Sequence, residues 1–298
     1  MSSVILVTGA GSGIGRLSAE ALARAGHTVY ASMRGIDGRN SDRALEMRAA
    51  AERGGYDLRP LELDVLSQPS ADAAVATIIA EQGGIDVVMH NVGHLVIGPT
   101  EAFTPEELAK VFDTNLFGVQ RVNRAVLPEM RKREHGLVLW ISSTTTKGGF
   151  PPFLGPYAAA KAAMDSLAVT MSYELTRFGI ETSIVVPGAF TRGTNHFPTA
   201  GRPADEETVA AYARYDGLLD QVGERLSELT PDDADPRAVA DEVVRIVGLP
   251  EGSRPARSVI DFVGDGAAEV IEVAERMRID FARRIGIADL LSIEKTQA

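Results

Sequence analysis

Short apolar runs rich in β-branched residues alternate along this chain with longer segments of helical periodicity. The runs predict strands over residues 4–7, 28–33, 58–63, 85–90, 137–141, 181–186 and 258–263. The periodic segments predict helices ending near residue 26, over 40–53 and 70–81, from 104 and from 155 onward, and over 205–229, 236–247 and 267–285. Strands that alternate with helices are typical of an α/β protein with a doubly wound parallel sheet flanked by helices on both faces.

The rhythm changes after residue 188, where loops and one amphipathic helix replace the strand–helix alternation until about residue 235. Because α/β proteins bind ligands at the carboxyl edge of the sheet, we expect residues 188–235 to be an insertion that covers a substrate. Residues 264–298 are predicted to form a C-terminal helical extension. We expect residues 1–298 to form a single dinucleotide-binding catalytic domain.

Composition excludes several classes of protein. The chain has no cysteine and a formal net charge of -11, so disulfides and thiolate chemistry are excluded and a nucleic-acid partner is not expected. Its five histidines form no metal-binding pattern, and no metal is predicted. Without a long apolar segment or a leader-like N-terminus, the sequence predicts a soluble, cytoplasmic protein that does not bind a membrane.

A glycine-rich turn joins the first strand to the first helix. It reads Gly9-x3-Gly13-x-Gly15, with Ser12 and Ile14 between the glycines. A strand, such a turn and a helix N-terminus together direct backbone N–H groups at a pyrophosphate. The turn therefore predicts a Rossmann-like nucleotide site, and a glycine turn with only a structural role is the alternative.

The end of the second strand predicts which nucleotide binds. Arg34 stands at the strand tip, where an arginine accommodates a ribose 2′-phosphate, and Asp37 follows three residues later. We expect NADP(H) to be preferred over NAD(H). In the alternative, Asp37 binds the ribose hydroxyl and Arg34 is solvated.

Later strand ends supply further candidate cofactor contacts. Asp64, followed by Val65, lies just past the third strand and could receive the adenine amino group or cap the next helix. Asn91 and Gly93 bracket a turn of small residues that could pass beneath the cofactor. Asn115 lies within an apolar helix, where a buried amide needs a partner that is either structural or catalytic.

Tyr157 and Lys161 carry the candidate chemistry. They are four residues apart at the start of an alanine-rich helix, so they share one face. A nearby ammonium favours a phenolate and lowers the pKa of the phenol, which would make Tyr157 able to exchange a proton. The alternative is an ordinary surface pair.

Together these residues resemble the short-chain dehydrogenases/reductases, in their smaller single-domain form, over about residues 4–263. The resemblance implies hydride transfer between a nicotinamide and a carbonyl or secondary alcohol. It implies that Tyr157 is the general acid or base, that Lys161 binds the nicotinamide ribose and lowers the tyrosine pKa, and that Asn115 holds a water. It also makes Tyr157, Lys161, Pro187, Gly188 and either Thr191 or Thr194 expected cofactor contacts, and implies a homodimer or homotetramer.

The chain departs from the family pattern at its substrate hydroxyl. The family's serine usually lies 13 residues before the tyrosine, where this chain has Thr144, and we assign the role to the preceding Ser143 with Thr144 as the alternative. Phe153 and Phe190 are expected to contribute to a mainly apolar substrate pocket. Rival interpretations are an NAD-dependent alcohol dehydrogenase with the same site and a catalytically silent nucleotide sensor.

Overall fold

A seven-stranded, wholly parallel sheet forms the centre of the computed structural model, which describes residues 2–190, 192–194 and 197–293. The strand order is β3-β2-β1-β4-β5-β6-β7. The strands are β1 Val4–Val7, β2 Thr28–Met33, β3 Leu58–Glu62, β4 Val87–His90, β5 Gly136–Ile141, β6 Ile180–Pro187 and β7 Arg257–Ile260. The helices are α1 Gly13–Arg24, α2 Ser41–Gly54, α3 Gln68–Gln82, α4 Pro105–Phe112, α5 Gly118–Arg133, α6 Gly155–Thr176, α7 Glu206–Ala211, α8 Leu218–Leu229, α9 Arg237–Gly248 and α10 Ala267–Arg284.

Two hydrophobic layers, one on each face of the sheet, form the core. In β1, Ile5 and Val7 belong to the layer that contains residues of α1, α2 and α9, whereas Leu6 belongs to the layer that contains residues of α3, α5 and α6. Successive side chains of a strand point to opposite faces, so an apolar run without alternation requires helices on both. The predicted doubly wound α/β fold is therefore confirmed.

The order of the strands reverses between β1 and β4. β1 pairs with β2 on one side and with β4 on the other, so the loops that follow β1 and β4 diverge to opposite faces. Such a switch point opens a crevice at the carboxyl ends of the strands. The glycine turn and the Asn91–Gly93 turn both follow strands that border this crevice.

Three predicted elements differ in the structure. The helix predicted over 205–229 is divided into α7 and α8, because Gly217 takes a left-handed φ of +75° between them. The last strand ends at Ile260, since the side chain of Asp261 accepts hydrogen bonds from the N–H groups of Val263, Gly264 and Asp265 and turns the chain. The long helix predicted from residue 104 is divided into α4, capped by Thr104, and α5 by a π-helical turn over Asp113–Phe117.

Residues of the expected insertion and extension pack beside the sheet. Val96, in the loop after β4, forms an isolated parallel bridge with Gly201 of the 188–235 segment. Ala267 and Ile271 of α10 are buried in the same core layer as α3, α5 and α6. Across the described ranges, no helix is both long and apolar enough to cross a bilayer.

Candidate active site

A cleft of about 740 Å³ opens at the carboxyl edge of the sheet, along the switch point. Most of the residues expected at a site line it: Gly9, Ser12, Gly13, Ile14, Asn91, Gly93, Ser143, Thr144, Tyr157, Lys161, Pro187, Gly188 and Phe190. The loops after β1, β4, β5 and β6 thus bring together side chains that are distant in the sequence.

The glycine turn closes over Asn91. The Asn91 side-chain amide donates hydrogen bonds to Thr8 O (3.0 Å) and Gly9 O (3.2 Å), which ties the turn to the end of β4. A Cβ at Gly15 would lie 2.3 Å from Asn91 Nδ2 and 2.6 Å from Gly9 O, so only glycine fits there. Gly13, at φ +55°, has open space where its Cβ would point, which leaves room for a ligand.

Replacing Gly15 by alanine is expected to damage this turn. The new methyl would overlap the backbone of Gly9 and displace Asn91, at a cost of roughly 1–3 kcal/mol in the free energy of unfolding. Urea denaturation measures that loss, and nucleotide binding should weaken in parallel. Gly248→Ala, at the end of α9 and outside the cleft, is the matched control, since a Cβ there meets nothing within 4 Å. Equal stability of the two variants would contradict the assigned contact.

Tyr157 lies in the first turn of α6 with only 7% of its surface exposed. Pro156 precedes it, in a position that favours helix initiation. Burial raises the pKa of the Tyr157 phenol to about 12, although a hydrogen bond with the Ser143 hydroxyl lowers it. In the free protein this pKa is thus raised, opposite to the lowering predicted from Lys161, because burial disfavours the phenolate. The phenol is protonated at neutral pH.

Ser143 is the hydroxyl that reaches Tyr157. It lies directly after β5, and its Oγ accepts a hydrogen bond from Thr145 Oγ1 at 2.9 Å while contacting the phenol. Thr144 is 3% exposed and lines the same cleft. The choice between Ser143 and Thr144 as the substrate hydroxyl stays a prediction, with Ser143 the one that contacts the phenol.

Lys161 is buried one turn further along α6, with 3% of its surface exposed. Its Nζ donates a hydrogen bond to Ile141 O at 2.8 Å. Burial lowers the pKa of the Lys161 amine to about 8, while the charge of Asp165 raises it. A buried amine at the base of a cleft that titrates near neutral pH is typical of a functional residue.

Asn115 lies in the π-helical turn and is fully buried. Its Nδ2 donates to His94 O (3.1 Å) and Val111 O (2.9 Å), and its Oδ1 accepts from His94 N (3.1 Å). Both amide hydrogens are thus used by the backbone, so only the second lone pair of Oδ1 could bind the water of the expected relay. The observed contribution of the side chain is to fix the loop after β4, and the water-holding role stays a prediction.

Arg34 is exposed at the end of β2. The turn behind it is shaped by Glu62, whose carboxylate accepts hydrogen bonds from Gly35 N (2.9 Å) and Ile36 N (2.8 Å). The positive charge of Arg34 acts across the crevice on His94. Burial lowers the pKa of His94, and the charge of Arg34 lowers it further. The role of Glu62 was not predicted, because nothing in a single carboxylate at a strand end indicates which backbone it binds.

Arg43 is a second cation at this edge that the sequence analysis missed. It projects from the first turns of α2, where its Nη1 donates to Asn40 Oδ1 at 3.0 Å. A Cβ at Gly11 would lie 3.9 Å from the same Nη1 and 3.5 Å from Met33 Sδ, so Arg43 lies over the glycine turn. The interval between Arg34 and Arg43 matches no helix or strand period, so the sequence did not indicate that both side chains lie at this edge.

Several predicted site residues do not line the cleft. Asp64 accepts a hydrogen bond from Leu66 N (3.0 Å), and Val65 packs against Gly118, so their adenine contacts stay predictions. Phe153 packs edge-on against Tyr212 and Tyr215, which removes it from the expected substrate pocket. Thr191 lies outside the described residues, whereas Thr194 lines the cleft.

The apolar side of α8 completes the wall of the cleft. Leu219, Val222 and Leu226 recur at helical spacing and face the same space as Leu95 and Leu154. The sequence predicted an amphipathic helix here but not the direction of its apolar side, which depends on the break at Gly217.

Comparisons with known proteins agree with this geometry. The family model described as short chain dehydrogenase matches residues 3–201. The 3-ketodihydrosphingosine reductase of Bacteroides thetaiotaomicron is 36% identical over 190 residues, which is 64% of this chain and 65% of that protein, so the match spans less than two thirds of the relative.

Solved structures match over nearly the whole chain. A short-chain dehydrogenase from Streptomyces avermitilis is 29% identical with a TM-score of 0.72, covering 96% of this chain and 97% of its own. A single-substitution variant of actinorhodin polyketide ketoreductase, solved with NADPH, is 28% identical with a TM-score of 0.72, covering 89% and 97%. From its seven-stranded fold, its glycine turn and these matches, the chain belongs to the short-chain dehydrogenase family of oxidoreductases.

Proposed function

We propose that the protein is an NADP(H)-dependent reductase that converts an apolar ketone into a secondary alcohol. The observation that carries the proposal is the convergence of Tyr157, Ser143 and Lys161 on a cleft that also contains the glycine turn. A protonated phenol suits reduction, because the oxygen of the carbonyl must gain a proton as the hydride arrives.

Each side chain has a defined task in this scheme. When bound, NADPH would supply the hydride. The Ser143 hydroxyl donates a hydrogen bond to the carbonyl oxygen of the substrate, on which negative charge develops. Tyr157 donates its proton to that oxygen, and the positive charge of Lys161 stabilises the phenolate that remains.

The residues present fit a dinucleotide. There is open space where a Cβ of residue 13 would point, and only glycine fits at position 15. The turn therefore forms a cradle for a phosphate at the N-terminus of α1. Ser12, Ile14, Asn91 and Gly93 would border the cofactor, as would Pro187 and Gly188 on the opposite side of the cleft. Arg34 and Arg43 would face a 2′-phosphate.

The preference for NADP(H) is tested by removing these cations. Arg34→Ala and Arg43→Ala should each weaken NADPH binding by roughly tenfold to hundredfold, because a charge-assisted hydrogen bond contributes about 1.5–3 kcal/mol. NADH binding should not change, since it has no 2′-phosphate. Arg53→Ala, in the last turn of α2, is the matched control. Quenching of protein fluorescence gives the dissociation constants, and a native enzyme that binds NADH more tightly would refute the preference.

The substrate class follows from the walls of the cleft. Leu95, Ile97, Leu154, Leu219 and Val222 surround the space next to Tyr157. Such walls bind apolar surface and leave polar discrimination to the few hydroxyls at the base. The assay is oxidation of NADPH with ketones of increasing apolar size, and the ratio kcat/KM should rise with that size. If no ketone supports turnover, the sensor interpretation replaces this one.

A further inference from the structure

A buried carboxylate lies behind the candidate catalytic residues. Asp165, 1% exposed, accepts a hydrogen bond from Ser142 Oγ at 2.7 Å. Arg257 of β7, whose side chain is 6% exposed, binds both oxygens of the same carboxylate, at 2.6 and 3.1 Å. A bidentate pair of this kind fixes both partners geometrically.

Ser142 connects this pair to the chemistry. It lies between Ile141, whose carbonyl accepts the hydrogen bond of Lys161, and Ser143, whose hydroxyl contacts Tyr157. Through Ser142, the carboxylate of Asp165 therefore holds the end of β5 against α6. Asp165 also lies one turn beyond Lys161 on the same face of α6.

The pair continues outward to the C-terminal helix. Arg257 Nε lies 3.6 Å from Glu275 Oε1, and Glu275 in turn pairs with Arg278 at 2.7 Å. Arg278 donates to the hydroxyl of Tyr173 at 2.8 Å, which returns the network to α6. The network thus joins β7 and α10 to α6 at the back of the site.

We propose that Asp165 is a positioning residue, which fixes the strand end that bears Ser143 and places a negative charge one helical turn from Lys161. The proposal rests on the proposed function. Tyr157 and Asp165 are the titratable residues one turn before and one turn after Lys161 on α6, and Arg257 of β7 lies behind Asp165. From the loop after β4, His94 follows Gly93, where a Cβ would lie 3.4 Å from Lys161 Nζ. Of these, only Asp165 carries a negative charge, and it raises the pKa of Lys161.

The test is the replacement Asp165→Asn, which keeps the size of the side chain and removes its charge. The pKa of Lys161 should fall below its native value, and kcat for ketone reduction should fall by roughly tenfold to hundredfold as Ser143 loses its alignment. The alkaline limb of kcat/KM should move to lower pH. A merely structural role would leave this limb in place.

The pKa of Lys161 can be measured without turnover. The chain has five lysines, at positions 110, 132, 147, 161 and 295, so an NMR spectrum of ¹³C-labelled lysine contains few signals to titrate. The signal that disappears in the Lys161→Arg variant belongs to Lys161. This readout separates failure of the inference from failure of the proposed function, because it needs neither ketone nor NADPH. Identical titration in the native and Asp165→Asn proteins would overturn the inference.

A second buried ion pair provides the control. Glu181 of β6 binds Arg254, with 9% and 11% of their side chains exposed, and neither residue lines the cleft. Glu181→Gln should lower stability but shift neither the Lys161 signal nor the pH limb, and an equal shift would also overturn the inference. If Asp165→Asn does not fold, Asp165→Asn with Arg257→Met leaves no unpaired buried charge, and the pKa of Lys161 should still fall, but by less, because the positive charge of Arg257 is removed as well.

Discussion

Replacing Tyr157 by phenylalanine should lower kcat for ketone reduction by roughly 10²–10⁴-fold, the usual contribution of a positioned acid. The hydroxyl is the only part removed, and the ring keeps its place in the hydrophobic cluster with Leu95 and Leu154. Ser143 Oγ still accepts its two hydrogen bonds from Thr145, and only the bond between the Ser143 hydroxyl and the phenol is lost. Stability should therefore change by less than about 1 kcal/mol.

Binding and chemistry can be separated in this variant. The dissociation constant for NADPH should remain within about threefold of the native value, because the nucleotide's phosphates are assigned to the glycine turn and the arginines rather than to the phenol. The matched control is Tyr56→Phe, because Tyr56 lies in the short segment before β3 and does not line the cleft. If the Tyr157→Phe enzyme retained native kcat, Tyr157 would not be the proton donor.

The sheet could be predicted almost completely from the sequence because burial on both faces leaves a direct signal. Runs such as residues 4–7 and 137–141 have no polar alternation, which only a parallel strand between two helical layers explains. Errors occurred where a side chain or a glycine ends an element. The bonds of Asp261 and the positive φ of Gly217 are tertiary or conformational choices that hydrophobic periodicity does not report.

Only those features of the site that depend on residues close together in the sequence could be predicted. Tyr157 and Lys161 share a helix face, so their proximity follows from an interval of four residues. The effect of burial on their pKa values does not follow, because desolvation depends on every element packed around them. For the same reason Asp165 and Arg257 carried no signal, since they pair across a long stretch of sequence, and the position of Arg43 near Gly11 could not be read from its local bond to Asn40.

Buried charge also explains why the two candidate catalytic groups have pKa values displaced in opposite directions. Burial disfavours the charged form of each, so the phenol of Tyr157 holds its proton more tightly and the amine of Lys161 holds its proton less tightly. As pH rises, the free enzyme therefore loses the proton of Lys161 first, at about 8, while Tyr157 is still an acid. Reduction, expressed as kcat/KM, should decline above this pH.

Lys161→Met tests that assignment with an apolar side chain of similar length. We expect kcat/KM for reduction to fall by roughly 10²–10³-fold, because a preorganised charge next to the developing phenolate is removed. The remaining activity should lose its decline near pH 8. Measurement of kcat/KM from about pH 6 to about 10 shows both effects. A limb that persists at about pH 8 in this variant would belong to another group and refute the role of Lys161.

Stability provides an independent check on the same replacement. The folded-state pKa of Lys161 lies below its ordinary value of 10.5, so between about 8 and 10.5 the unfolded chain binds more protons than the folded one. The contribution of Lys161 to the free energy of unfolding therefore rises with pH through that window. Below about pH 8 the cost of burying its charge is fully present. Lys161→Met removes that cost, so its thermal midpoint should exceed the native one at about pH 7 and approach it at about pH 10. Lys110→Met, in the last turn of α4 and outside the cleft, is the control that should show no such pH dependence. The combination of a more stable fold and a nearly inactive enzyme is expected only if the charge is retained for catalysis at the expense of stability.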